Sequence, residues 1–155
     1  MAERRVLAFT SLDQIMPEVD RLLAGSEKAG NWSLGQICNH LAQTFRMSVE
    51  GFGVKAPWIA RMIFGPIARK EMFVNKRMRA GIKVPEKFCP KPGLDDRAEA
   101  EALRASIAYY RANPTPRAFH PLLGALTGEQ WDVVHLVHSA HHLGFAIPTA
   151  ALVAN

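Results

Sequence analysis

Four of the chain's six histidines fall within eight residues, His135-Leu136-Val137-His138-Ser139-Ala140-His141-His142. A neutral imidazole is a common ligand for a divalent metal ion, so their spacing matters. On a helix advancing about 100° per residue, His138 and His142 stand about 40° apart on adjacent turns, which lets two rings reach one ion. His135 lies about 20° from His142 but two turns away, and His141 about 60° from His138. A histidine cluster can equally sit on a solvated face, so the pair alone leaves both readings open. Trp131 and Val134 share the face of His138 and turn that residue inward. A third ligand has to come from another segment. His40 is the candidate, at the shoulder of an apolar stripe with Ile37 and Thr44 one turn to either side.

Three neutral imidazoles leave a divalent ion its full charge and at least one open position. A water there has its pKa lowered to about 7, and an exogenous thiol binds as thiolate. Zinc, nickel, iron and manganese all accept such a set. A partnering carboxylate is harder to find, because Asp132 falls about 120° from His138 on the helix wheel. His120, His135 and His141 are the titratable neighbours whose pKa values could fall near working pH. His120 precedes Pro121 and reads as a turn residue capping local backbone, and His141 as a packing or supporting residue. Cys38 lies about 160° from His40 and reads as core. Trp58, Met62, Phe64 and Phe73 are the expected lining of a substrate pocket, or else a cover for the open side of the helices.

The elements that must carry these residues are legible from their caps. Ser11-Leu12-Asp13-Gln14, Ser33-Leu34-Gly35-Gln36 and Thr127-Gly128-Glu129-Gln130 each fit the reciprocal hydroxyl–glutamine capping pattern and open an apolar-periodic segment. A first helix is expected over about 12–24, with Leu12, Ile15, Met16, Val19, Leu22 and Leu23 on one stripe. A second follows Ser33 and carries Ile37, Cys38, Leu41, Phe45 and Phe52. A third starts near Asp95–Asp96 and ends before Pro114. A fourth runs over about 128–145 and is ended by Pro148. Between the second and third, Pro57 opens the short apolar-basic piece Trp58–Phe64, Gly65-Pro66 interrupts it, and prolines 85, 90 and 92 make the rest irregular. The pattern is that of one all-α domain, a four-helix bundle with a long irregular or short-helix connection between helices two and three.

The totals agree. At 155 residues, 48% hydrophobic and 21% charged, the chain suits one folded domain and not a disordered one. It lacks an uninterrupted apolar run of spanning length. Its opening MAERRVLAFTSLDQ lacks a secretory pattern, and Cys38 and Cys89 form no disulfide framework. A cytoplasmic setting is expected. The net charge of +5 is uneven: residues 55–91 hold ten Lys or Arg against Glu71 and Glu86, so that stretch is +8 and the remainder −3. A basic segment with Phe73 and Phe88 as stacking faces could hold an anionic ligand or nucleic acid. No nucleic-acid motif accompanies it, and a solvated surface accounts for it better. An interfacial helix at Trp58–Phe64 would be short.

Three motifs, Trp32-Ser33-Leu34-Gly35-Gln36-Ile37-Cys38-Asn39-His40-Leu41, His120-Pro121-Leu122-Leu123-Gly124-Ala125-Leu126-Thr127 and His138-Ser139-Ala140-His141-His142-Leu143-Gly144-Phe145, together resemble a bacterial family of unknown function within the DinB-like superfamily. The likeness runs from Arg5 to Pro148. It implies an up-down-down-up four-helix bundle with a three-histidine metal site, whose ligands by position are His40, His138 and His142. Relatives in other branches include thiol-dependent transferases and a thiol-dependent isomerase, so a low-molecular-weight thiol is an expected partner, and pairing into a homodimer is expected too. Many superfamily members carry Arg after the last histidine, where this chain has Leu143.

Overall fold

Local hydrogen bonds at the three capping sequences start the helices as their residue types dictate. In a computed structural model describing residues 3–81, 86–115 and 117–149, Ser33 Oγ accepts from the Gln36 amide at 3.2 Å, while Gln36 Oε1 accepts from the Ser33 amide at 3.0 Å. This opens α2, Leu34–Glu50. Thr127 and Gln130 make the same pair at 3.2 and 3.0 Å and open the last helix. Ser11 and Gln14 begin a 3₁₀ turn, Leu12–Gln14, that runs straight into α1, Ile15–Leu23. Each pair satisfies amides that a helix start leaves without intrahelical partners.

Two further helices precede the last. Helix α3 spans Trp58–Arg69, and α4 spans Asp96–Ala112, capped by Asp95, whose carboxylate accepts from the Ala98 amide at 2.7 Å. Helix α5 is Gly128–Leu143. The chain is therefore mostly helical. It also carries a small antiparallel ribbon, which the sequence pattern did not reveal. Strand β1, Ser26–Lys28, pairs with β2, Ala146–Pro148, placing Glu27 opposite Ile147. Pro148, expected only to stop a helix, is a strand residue. Helix α5 ends earlier, at Leu143, and Phe145 lies beyond it. Helix α2 stops at Glu50, short of Phe52, because Gly51 takes φ +104° while its amide donates to the Met47 carbonyl at 2.8 Å.

The expected interruption at Gly65-Pro66 is also corrected, since α3 continues through Pro66. Proline removes one backbone donor, but anchors outside the helix hold it. Gly65 is buried against the Leu122 carbonyl, and Arg69 donates to the Leu123 carbonyl at 2.8 Å. Past Arg69 a π turn, Lys70–Val74, closes with the Asn75 amide donating to the Lys70 carbonyl. Pro85 and Lys83, part of the irregular and basic readings, lie outside the described residues.

Helices α2 and α4 pack along their lengths. The Gly35 amide donates to Asp96 Oδ1 at 2.6 Å, and Asn39 Nδ2 donates to Glu99 at 2.9 Å. A β-carbon on residue 35 would stand 2.8 Å from that Asp96 oxygen, so glycine permits the approach. Tyr110 of α4 donates to Asp132 of α5 at 2.6 Å. Ile15, Leu22, Leu41, Phe45, Leu103, Tyr110 and Trp131 fill the core between α1, α2, α4 and α5. The ribbon then brings the segment before α2 beside the end of α5, with the Ala29 amide donating to the Phe145 carbonyl at 2.7 Å. That closes one end of the helices over the histidines. No helix among the described residues is long and apolar enough to cross a membrane.

Candidate metal centre

His40 projects from α2 towards α5 and is buried, deeper than its shoulder position on the apolar stripe suggested. The 3₁₀ turn Glu86–Phe88 ends beside it. Its Nδ1 lies 3.0 Å from the Phe88 carbonyl oxygen. A carbonyl only accepts, so Nδ1 carries the hydrogen and the neutral ring offers a bare lone pair at Nε2. That Nε2 stands 3.1 Å from His138 Nε2. The His142 ring lies 4.7 Å from His40 and 4.6 Å from His138, centroid to centroid. One nitrogen from each of the three falls within 4.8 Å of the others, and among the described residues this is the group that could hold a metal ion.

The donors suit such an ion. Two nitrogens about 2.0–2.1 Å from one tetrahedral metal stand about 3.4 Å apart, close to the His40–His138 spacing. Burial holds the pKa of His40 below the usual imidazole value and those of His138 and His142 well below it, and the neighbouring histidines push the latter two the same way. All three are thus neutral near pH 7, the form that ligates.

Trp32, just before the α2 cap, stacks on His142 at 5.3 Å and 13° and leans on His40 at 5.0 Å. The three histidines, Trp32, Met78, Arg79, Cys89, His141 and Phe145 line a cavity of about 670 Å³. It has room for a small substrate above the histidine floor. Among the described residues no Asp or Glu lines it.

Over residues 1–149 the chain matches the family described as Protein of unknown function (DUF1569). It belongs to that family. No curated protein and no solved structure matches it.

The other sequence-chosen residues of this DUF1569 chain divide clearly. His141 is a supporting residue: its Nδ1 accepts from Arg4 Nη1 at 3.0 Å, a backbone hydrogen bond joins it to Met78, and burial pushes its pKa down to about 4. His120 caps its turn as expected, Nδ1 accepting from the Leu122 and Leu123 amides at 3.1 and 3.0 Å. Cys38 is core, its thiol pushed up to about 12 by burial. Burial also overturns the expectation that His120, His135 and His141 titrate near working pH, since it takes the first and last down to about 4; His135 is the most deeply buried. It is 1% exposed, stacks 3.8 Å from Phe45, pairs with Ser48 Oγ at 3.0 Å, and burial holds its pKa well below the usual value. Asp132 accepts from Tyr110, whose ring packs 4.6 Å from His135, and does not join the group of His40, His138 and His142.

The expected pocket lining is also corrected. Trp58, Met62 and Phe64 are more than half exposed on α3, and Phe73 packs beneath Arg69, whose guanidinium lies 5.2 Å from its ring. The middle segment instead contributes Met78–Gly81. Phe88, offered as a stacking face, lies beneath Lys87 and against Phe52. Sequence reasoning missed the Phe88 carbonyl and Arg4. The first is a backbone atom and carries no residue signal, and the second is 137 positions from its partner.

Proposed function

We propose that this chain is a metal-dependent enzyme built on a DinB-like four-helix bundle of α1, α2, α4 and α5. His40, His138 and His142 would hold a divalent ion, and the substrate would enter the cavity beside Trp32. The observation that carries the reading is the pair of imidazole Nε2 atoms 3.1 Å apart, one with its lone pair fixed by the Phe88 carbonyl, on the floor of an accessible cavity. Zinc, nickel, iron and manganese all suit the ligand set. A bound ion would supply Lewis acidity to a water, a thiol or a polarised carbonyl.

The chain's own residues supply the surroundings. The Phe88 carbonyl orients His40, and Trp32 keeps the His142 ring in place and water from its face. His141 joins the Met78 wall to α5, and Arg79 offers positive charge at the rim for an anionic substrate group. Among the described residues no carboxylate lines the cavity, so the nucleophile would have to release its proton to solvent, which a thiol does far more readily than water. That favours thiol-dependent transfer, in which a low-molecular-weight thiol is the co-substrate, with hydrolysis as the other outcome.

The test is thiol consumption in the presence of small electrophiles, together with an ester panel, using metal-loaded protein. Turnover that disappears with chelator and in His142→Ala supports the proposal. Equal rates for the variant and the parent would overturn it, and no turnover by metal-loaded parent would leave a non-catalytic metal-binding protein.

A further inference from the structure

Helix α3 turns an apolar side outward. Trp58, Ile59, Met62, Ile63, Phe64 and Ile67 are 68, 51, 62, 52, 56 and 55% exposed, and none of the helix's fully exposed residues before Lys70 is charged. Six large side chains at this exposure present on the order of several hundred Å², at or above the largest apolar patch of an ordinary monomer. The sequence pattern made this piece too short to matter, because Gly65-Pro66 was expected to end it. The structure carries it to Arg69 and through the π turn to Val74, itself 70% exposed.

We propose that this face of α3 docks on an anionic lipid bilayer, lying flat at the headgroup boundary. Three observations favour lipid over other occupants. The charges beside the face are cationic: Lys55 precedes it, Lys70 ends it and Lys76 follows, all exposed. The only acid between Gly53 and Gly81 is Glu71, whose carboxylate is held by Arg77 at 2.5 Å and by Asn75 at 2.8 Å. A second copy of the same face would bring like charges together, whereas phosphate and carboxylate headgroups complement them. The face is also the outer side of a single helix, which suits insertion among acyl chains. The inner side is already committed: Gly65 packs on the Leu122 carbonyl, Arg69 bonds the Leu123 carbonyl, and Arg61 lies 4.6 Å over the Phe119 ring.

The full chain would be mixed with phosphatidylcholine vesicles containing 30 mol% phosphatidylserine or none, and bound protein measured by flotation and by tryptophan fluorescence, with Trp32→Phe and Trp131→Phe in a second sample so that Trp58 alone reports. The expected result is binding to the anionic vesicles at least tenfold tighter than to neutral ones, with a blue shift of the emission. Ile59→Glu combined with Ile63→Glu lies on the exposed face and spares the core, and it should lower binding at least tenfold. Lys55→Glu with Lys70→Glu should remove the preference for phosphatidylserine. Unchanged binding by the Ile59/Ile63 variant would overturn the proposal. So would failure of the parent to float, and a parent dimer dispersed by that variant would then assign the face to a second copy.

Discussion

Acidification of the metal-free protein should cost it stability between pH 7.5 and 5.5, and the structure sets the size of the loss. All six histidines have pKa values held below the usual 6.5, each with burial as the first cause. The unfolded chain takes up protons below about pH 6.5 while these buried rings stay neutral, so the unfolded state gains and stability falls with pH. The stabilisation is fully present above about 6.5 and is lost progressively towards each lowered native value. His120, pushed down to about 4, should lose about 1 kcal/mol at pH 5.5. His135 and His138, held well below the usual value by burial, add to the loss in the same direction. Against an ordinary domain's 5–15 kcal/mol, the His120 contribution alone is large enough to measure.

The assay is urea unfolding in EDTA at the two pH values, followed by far-ultraviolet circular dichroism. At about 2 kcal/mol per molar urea, the midpoint should drop by at least roughly 0.5 M. Asp13 and Glu71, whose pKa values are lowered by Arg111 and Arg77, lose their contributions only as pH falls below about 5 and leave this window clear. A change below about 1 kcal/mol would refute the reasoning, since it would mean that the histidines are hydrated and the packing around them is wrong.

Other substitutions separate scaffold from site. Gly35→Ala forces a β-carbon to 2.8 Å from Asp96 Oδ1 and 3.0 Å from the Leu94 carbonyl, and should destabilise the fold by about 1–3 kcal/mol in thermal or urea unfolding. Ser48→Ala leaves His135 Nε2 without its buried partner; a loss of about 1–3 kcal/mol in stability is expected, with metal content unchanged.

How much of this could be read from residue types follows from how local each interaction is. The starts of α1, α2 and α5 were legible because a Ser or Thr and the Gln three positions later complete the cap between themselves. The His138–His142 pair was legible for the same reason, being one turn of one helix. Ser26-Glu27-Lys28 shows no alternation, and its partner lies about 120 positions away, so the ribbon left no pattern. Pro66 looked like a breaker because its anchors, Leu122 and Leu123, belong to a distant turn. The wheel placed His135 near His142, yet Phe45 and Ser48 of α2 draw it into the core.

The central claim is that His40, His138 and His142 hold one divalent ion, and metal content tests it most directly. Purified, untagged protein and His138→Ala would be analysed for zinc, nickel, iron and manganese, with circular dichroism confirming that both are folded. The account predicts about one metal per chain in the parent and its loss in the variant. A folded parent that takes up none of the four after incubation with their salts would contradict it.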